Sequence, residues 1–147
     1  HIRCEEHDHE EGDEYDLLIV NFKVPFQTQT ISQQNIWLDE VSRANPYTFN
    51  VMMHPSAAKR KGLKDGDRVL VKSHHGQDEG NLKVTEVVHP ECLGIPATLG
   101  HWARNLHVAA KKGTSFNTLL PPPDVSRIDT LSGQVDTCVR VKVSKLG

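Results

Sequence analysis

The residues able to do chemistry in this 147-residue chain are few and far apart. Cys4, Cys92 and Cys138 carry no CxxC or other metal-ligand spacing, which speaks against both a disulfide scaffold and an iron–sulfur cluster. Asp65 and Asp67 flank Gly66 and read as turn-shaping residues, not an acid/base couple, and His54 ahead of Pro55 reads as a helix cap. What remains is donor chemistry. Gln27, Thr28, Gln29 and Thr30, with Lys23 just upstream, offer amides, hydroxyls and a positive charge of the kind a pyrophosphate needs; the same residues would equally make a polar edge loop. Gly100-His101-Trp102 pairs a ring donor with an aromatic wall, or else holds a core tryptophan beside a satisfied histidine, or starts a helix. Asn117, between Phe116 and Leu119, is a polar group in an apolar setting and needs a partner, in loop backbone or in a ligand.

Charge is unevenly placed. The first sixteen residues hold eight acids against Arg3 alone, which leaves eleven acids and sixteen bases in the body. The leader is therefore near −7 and the body near +5, so the body favours an anionic ligand. Nucleic acid fits that sign, but Lys59-Arg60-Lys61 is the only basic run and aromatics are 5% of the chain, too few for a stacking platform. Residues 1–14 read as a solvated acidic linker or leader. Their His1, His7 and His9 are assigned no metal site. No apolar run reaches the roughly 18 to 20 residues that cross a bilayer, so direct membrane insertion is not expected. The opening stretch is no secretory signal and the chain reads as a fragment or processed product; a cytoplasmic and a periplasmic setting both fit its cysteines.

The elements that must position these residues are short, and residues 15–147 are sized for one domain. Tyr15 to Val20 reads as a buried first strand, and a helix from about Asn35 places Ile36, Leu38 and Val41 inward before Asn45-Pro46 stops it. Thr48 to Met53 reads as a strand, Pro55 to Lys61 as a helix with Gly62 at its exit, Gly66 as a turn, and Arg68 to Lys72 as an alternating strand. A turn is expected from His74 to Gly80, then a returning strand from Leu82 to Val88 and a brief apolar segment at Cys92 to Ile95. Weak amphipathicity reaches Lys112, a long ordered loop follows over 113–134, and Val135 to Val143 closes the domain with Val139, Val141 and Val143 on one face. Six or more strands with two or three short helices suit a small, mainly β barrel.

Residues 54–76, HPSAAKRKGLKDGDRVLVKSHHG, resemble the C-terminal dinucleotide-binding domain of the molybdopterin oxidoreductases, the dimethyl sulfoxide reductase superfamily. Three further matches follow the family's order: Gln27 to Thr30 with Asn35 and Trp37-Leu38; Gly100-His101-Trp102; and Asn117-Thr118-Leu119 followed by Asp129, Ser132-Gly133 and a valine-rich strand. The resemblance spans residues 15–147 and implies an aspartate decarboxylase-like double-psi β-barrel. It also implies that the chain is the C-terminal domain of a larger molybdenum or tungsten oxidoreductase and binds part of a molybdopterin guanine dinucleotide, supplying no metal ligand. Gln27, Thr28, Gln29, Thr30, Gly100, His101, Trp102 and Asn117 are then the cofactor-binding candidates. One departure is that many relatives carry an arginine where Asn21-Phe22-Lys23 stands here.

On this reading the chain does no catalysis by itself and is expected to hold the cofactor weakly when isolated. Its expected partners are the remaining domains of the parent subunit and an iron–sulfur electron-transfer subunit. No Gly-Ser dipeptide is present for the self-cleaving pyruvoyl chemistry of a related barrel. The alternative is a double-psi barrel acting as a protein-recognition module of an ATPase-type assembly, since the barrel and its Gly-Asp turn do not require a pterin.

Overall fold

The computed structural model describes residues 13–28, 31–97, 99–122, 124, 128–129, 131–135 and 137–147. Cys4 and most of the acidic leader lie outside them, as do Gln29 and Thr30. The described strands are β1 Leu17–Phe22, β2 Asn50–Met53, β3 Arg68–Lys72, β4 Gln77–Val84, β5 Cys92–Pro96 and β6 Arg140–Lys145. Two α-helices, α1 Ile36–Arg43 and α2 Pro55–Arg60, and a 3-10 turn at Phe116–Leu119 complete the frame.

The six strands close into one barrel in the order β1-β5-β2-β4-β3-β6. Two neighbouring pairs are parallel, β1 with β5 and β2 with β4, and the remaining pairs are antiparallel. In this order β5 sits between β1 and β2, and β2 sits between β4 and β5, so the connections from β1 to β2 and from β4 to β5 each skip a strand, as in a double-psi barrel. Strand alternation fills the interior: Leu17, Ile19, Val51, Met53, Val69, Val71, Leu82, Leu93, Ile95, Val139, Val141 and Val143 are all buried together. The barrel thus encloses its own core.

Local sequence explains the unit from β2 to β4. His54 caps α2 by accepting from the Ser56 N–H at 3.2 Å, and Pro55 occupies the first turn, where its missing N–H is harmless. Asp67 accepts from the Lys64 N–H at 2.8 Å and Asp65 from the Val84 N–H at 2.7 Å, so both aspartates brace the turn.

Four expectations need correction. Helix α1 exists and Asn35 caps it, but Ile36 and Val41 face outward, Leu38 is half-buried, and the buried residues are Asp39 and Ser42. Hydrogen-bonding partners for the polar side chains, not apolar periodicity, set its orientation. The turn expected from His74 to Gly80 is tighter than that: Ser73 closes it on Gly76, and Gln77–Gly80 are already strand, paired with β3. Strand β4 ends at Val84 and not at Val88: the Thr85 N–H makes the last bond to Met53 O of β2, and residues 86–88 turn away. The last strand begins at Arg140, not Val135, with Val139, Val141 and Val143 buried on one face as expected.

Candidate functional site

Where the parallel strands β1 and β5 end, a groove of about 860 Å³ opens. That volume lies within the roughly 300–1,000 Å³ of small-molecule and cofactor pockets. Its walls are the exit of β1 from Asn21 to Gln27, the segment from Leu99 to Ala103, and Ser115 to Thr118.

Gly100 is the joint between two of these walls. It adopts φ 76°, and a Cβ there would stand 2.3 Å from the Ser115 nitrogen and 2.5 Å from its Cα. Only glycine permits that approach. Its N–H donates to Lys112 O at 2.8 Å, and the Lys111 N–H donates to His101 O at 2.8 Å, so the Gly100-His101 backbone is pinned from behind. His101 lines the groove, and its Nε2 is buried with no hydrogen-bond partner. Such a nitrogen costs about 1–3 kcal/mol until something pairs with it. Trp102 is 87% exposed beside it, so it is neither a core tryptophan nor the start of a helix.

The facing wall is built from β4. The Ser115 N–H donates to Asp78 Oδ2 at 2.6 Å, and the Thr114 hydroxyl donates to Glu79 O at 3.0 Å. Gly80 makes room for Thr114, whose Oγ1 would lie 2.2 Å from any Cβ at that position. Phe116 and Leu119 sink into the core and leave Asn117 and Thr118 exposed at the groove. Asn117 is therefore presented to solvent and not held in an apolar setting. Ser73 Oγ donates to Leu119 O at 2.8 Å and fixes the far end of this 3-10 turn.

The third wall is held from α1. Gln27 is buried; its Nε2 donates to Ser42 Oγ at 2.9 Å and its Oε1 accepts from Ser32 Oγ at 2.8 Å. Its amide is thus occupied inside the protein while the residue borders the groove. Thr28 is exposed, spends its N–H on Ser32 Oγ at 2.6 Å, and does not line the groove. Gln34 Oε1 accepts from the Val108 and Ala109 N–H groups at 2.9 Å each, while its Nε2 donates to Asn105 O at 3.2 Å. Lys112 and Arg43 both bond the Asp39 carboxylate. Burial pushes that carboxyl up, but the hydrogen bonds from Lys112 and Arg43 outweigh it and hold Asp39 below its ordinary value.

Of the candidates, the structure gathers Gln27, Gly100, His101, Trp102 and Asn117 around one groove, and Thr28 stands apart. Lys23 is the lysine or arginine among the described lining residues, so the groove's net side-chain charge is positive. Burial raises the Cys92 thiol above its usual value, and that residue packs in β5. Among the described residues no three His, Cys, Asp or Glu side chains converge as a metal site. Sequence reasoning missed Asp78, Ser115, Gln34, Asp39 and Lys112, the residues that hold the walls.

Comparison with known proteins places residues 17–135 in the family described as the molydopterin dinucleotide binding domain. The chain is 29% identical to the thiosulfate reductase molybdopterin-containing subunit PhsA of Salmonella typhimurium over 108 residues, covering 74% of this chain and 14% of that one. It is 29% identical to the arsenate respiratory reductase molybdopterin-containing subunit ArrA of Shewanella sp. over 144 residues, covering 90% and 16%. ArrA of Chrysiogenes arsenatis is 24% identical over 147 residues, covering 93% and 17%. The solved structure of acetylene hydratase from Pelobacter acetylenicus superposes with a TM-score of 0.66 at 19% identity, over 90% of this chain and 19% of that one, and shares the fold. The chain therefore spans about one sixth of the length of the curated relatives it matches.

Proposed function

The chain belongs to the molydopterin dinucleotide binding domain family, and from that membership we propose that residues 15–147 form one wall of the cofactor site of a larger molybdenum or tungsten oxidoreductase. The ligand on this reading is part of a molybdopterin guanine dinucleotide. The observation that carries it is the convergence of Gly100, His101, Trp102 and Asn117 on one groove in a chain matched to this family over most of its length. The module of an ATPase-type assembly is the weaker alternative, because no feature of the groove favours it.

The residues present fit such a group. The unpaired His101 Nε2 lacks a partner that an amide-edged ring offers, and the exposed Trp102 indole offers a flat apolar wall to a fused ring system. Asn117 brings a donor and an acceptor on one amide, and Lys23 a positive charge for a diphosphate. Gln27 acts indirectly, by setting the path of the β1 exit through Ser42 and Ser32. When bound, the cofactor supplies the redox chemistry at its metal; this chain binds, orients and screens it. Thr28, Gln29 and Thr30 remain candidates for contact with the dinucleotide's outer part. The parent's other domains and an iron–sulfur electron-transfer subunit are the proposed partners.

The test is to purify the intact parent polypeptide and analyse its metal and its released pterin. Molybdenum or tungsten together with a guanine dinucleotide is the expected result. Absence of both metals and of any dinucleotide sinks the proposal.

A further inference from the structure

Residues 14–16 lie just ahead of β1 and outside the barrel, whose strand pairing starts at Leu17. Each of the three is nevertheless held. Lys142 Nζ, on β6, donates to Glu14 Oε2 at 2.8 Å. The Tyr15 ring stacks on the His74 ring with centroids 4.0 Å apart, and the Lys142 ammonium stands 5.2 Å from the centre of the Tyr15 ring. Lys61 Nζ, at the end of α2, donates to Asp16 Oδ1 at 2.6 Å, Arg60 stands 4.0 Å from Asp16 Oδ2, and Arg140 donates to Asp16 O at 3.5 Å. The stretch Glu14-Tyr15-Asp16 is thus gripped side chain by side chain from α2, the β3–β4 turn and β6.

The gripping surface calls for anions in its own right. Lys72 on β3 lies directly opposite Lys142 on β6, and like charges so placed repel. The Lys61 side chain is only 17% exposed, so its ammonium needs a counter-charge close by. The strap formed by residues 14–16 is lightly held, by surface ion pairs and one ring stack, and lifting it breaks no strand pairing. None of Arg60, Lys61, His74 and Lys142 lines the groove.

We propose that Arg60, Lys61, His74 and Lys142 form a docking site for a peptide segment of a partner protein in which an aromatic residue stands between two carboxylates, and that Glu14-Tyr15-Asp16 occupies this site as a built-in competitor. The site is separate from the groove and independent of the cofactor reading. The chemistry of the strap selects the ligand: cations at the two ends fix two carboxylates, and between them the imidazole and the Lys142 ammonium take a flat ring. A plain polyanion would satisfy the cations and leave the His74 ring unused. Because the competitor is tethered, its effective concentration is high, and a partner segment binds at full strength only when the strap is displaced.

The test is fluorescence anisotropy with a labelled peptide Asp-Glu-Tyr-Asp, the sequence of residues 13–16, added to the full 147-residue chain. A strap variant carrying Glu14→Ala, Tyr15→Ala and Asp16→Asn should bind the peptide about tenfold more tightly than the unsubstituted chain does, because the tethered competitor is gone. Adding Lys61→Gln and Lys142→Gln to that variant should abolish the gain, and a peptide with alanine in place of tyrosine should bind several-fold more weakly. Equal binding by the strap variant and the unsubstituted chain overturns the proposal. So does equal binding of the two peptides, which reduces the surface to a cation patch without selectivity, and so does a gain that survives the two lysine changes. A dimer of the unsubstituted chain that Lys142→Gln dissolves also overturns it, because the occupant is then the strap of a second copy. Should the strap variant melt early, NMR of the unsubstituted chain with excess unlabelled peptide decides: the Tyr15 ring signals should move toward their unstacked positions while those of His74 stay near their stacked ones. A Tyr15 ring that the peptide fails to displace overturns the proposal.

Discussion

Lys112 extends its ammonium to the buried carboxylate of Asp39, so the segment behind Gly100 and His101 is tied to helix α1. The same helix holds Gln27 through Ser42, which makes it the common brace of two groove walls. Asp39→Asn keeps the shape but strands the Lys112 charge in a partly buried position. The loss expected is about 3 kcal/mol, near the low end for breaking such a pair, read from denaturant unfolding. A loss below half that would mean the pair is incidental.

Asp39 also predicts an acid limb of stability. Its folded value lies below the ordinary aspartate value of 3.8, chiefly because the Lys112 and Arg43 bonds overcome burial. The folded state therefore binds this proton less readily than the unfolded one. The contribution is present above about pH 4 and is lost as pH falls through the folded value. Melting curves of the parent chain and of Asp39→Asn, taken from pH 6 to pH 2.5, should converge at the acid end. Parallel curves would show that Asp39 is not the group responsible.

Gly100→Ala should disrupt the joint between the groove walls. Left-handed backbone costs alanine about 1–2 kcal/mol, and the added Cβ must also displace the Ser115 backbone. A total loss above about 2 kcal/mol is expected, again from denaturant midpoints. A variant as stable as its parent would contradict the packing described here.

How much of this was legible before the fold was known varied with the kind of signal. Strand alternation at Arg68 to Lys72 and at Val139 to Val143 was clear, because core burial imposes a period of two. Pro55, Gly62 and Gly66 announced their turns, because so few residues suit those backbone angles. Helix α1 misled, since Ile36 and Val41 face away from the barrel, Leu38 is only half-buried, and the buried residues are Asp39 and Ser42. Gln77 to Gly80 misled because they are polar yet lie in strand β4, where the Asp78 carboxylate accepts from the Ser115 N–H and the Glu79 backbone oxygen from the Thr114 hydroxyl. Gly100, His101, Trp102 and Asn117 could be singled out as candidates, but their meeting at one groove depends on the closure of the barrel between segments no sequence window joins.

His101 and Trp102 separate binding from stability. Trp102→Ala should change stability by less than about 0.5 kcal/mol, because the side chain is largely exposed. His101→Phe removes a buried unpaired nitrogen and should stabilise the empty chain by about 1 kcal/mol while weakening ligand binding. Differential scanning calorimetry beside a binding titration reads both. A destabilised His101→Phe chain would mean that the imidazole already serves the fold.

The central claim, that this groove receives a guanine dinucleotide, is tested most directly by an NMR titration of the chain with guanosine diphosphate. Binding should be weak and largely electrostatic, since one open wall forms only a fraction of a closed site, and salt screens such contacts over roughly 8–10 Å. Shifts are expected at Lys23, His101, the Trp102 indole N–H and the Asn117 side-chain amide, fading as salt is raised and absent in a chain carrying both His101→Phe and Trp102→Ala. Shifts that gather instead at Lys59 to Lys61, or that persist unchanged in the double variant, would contradict the account.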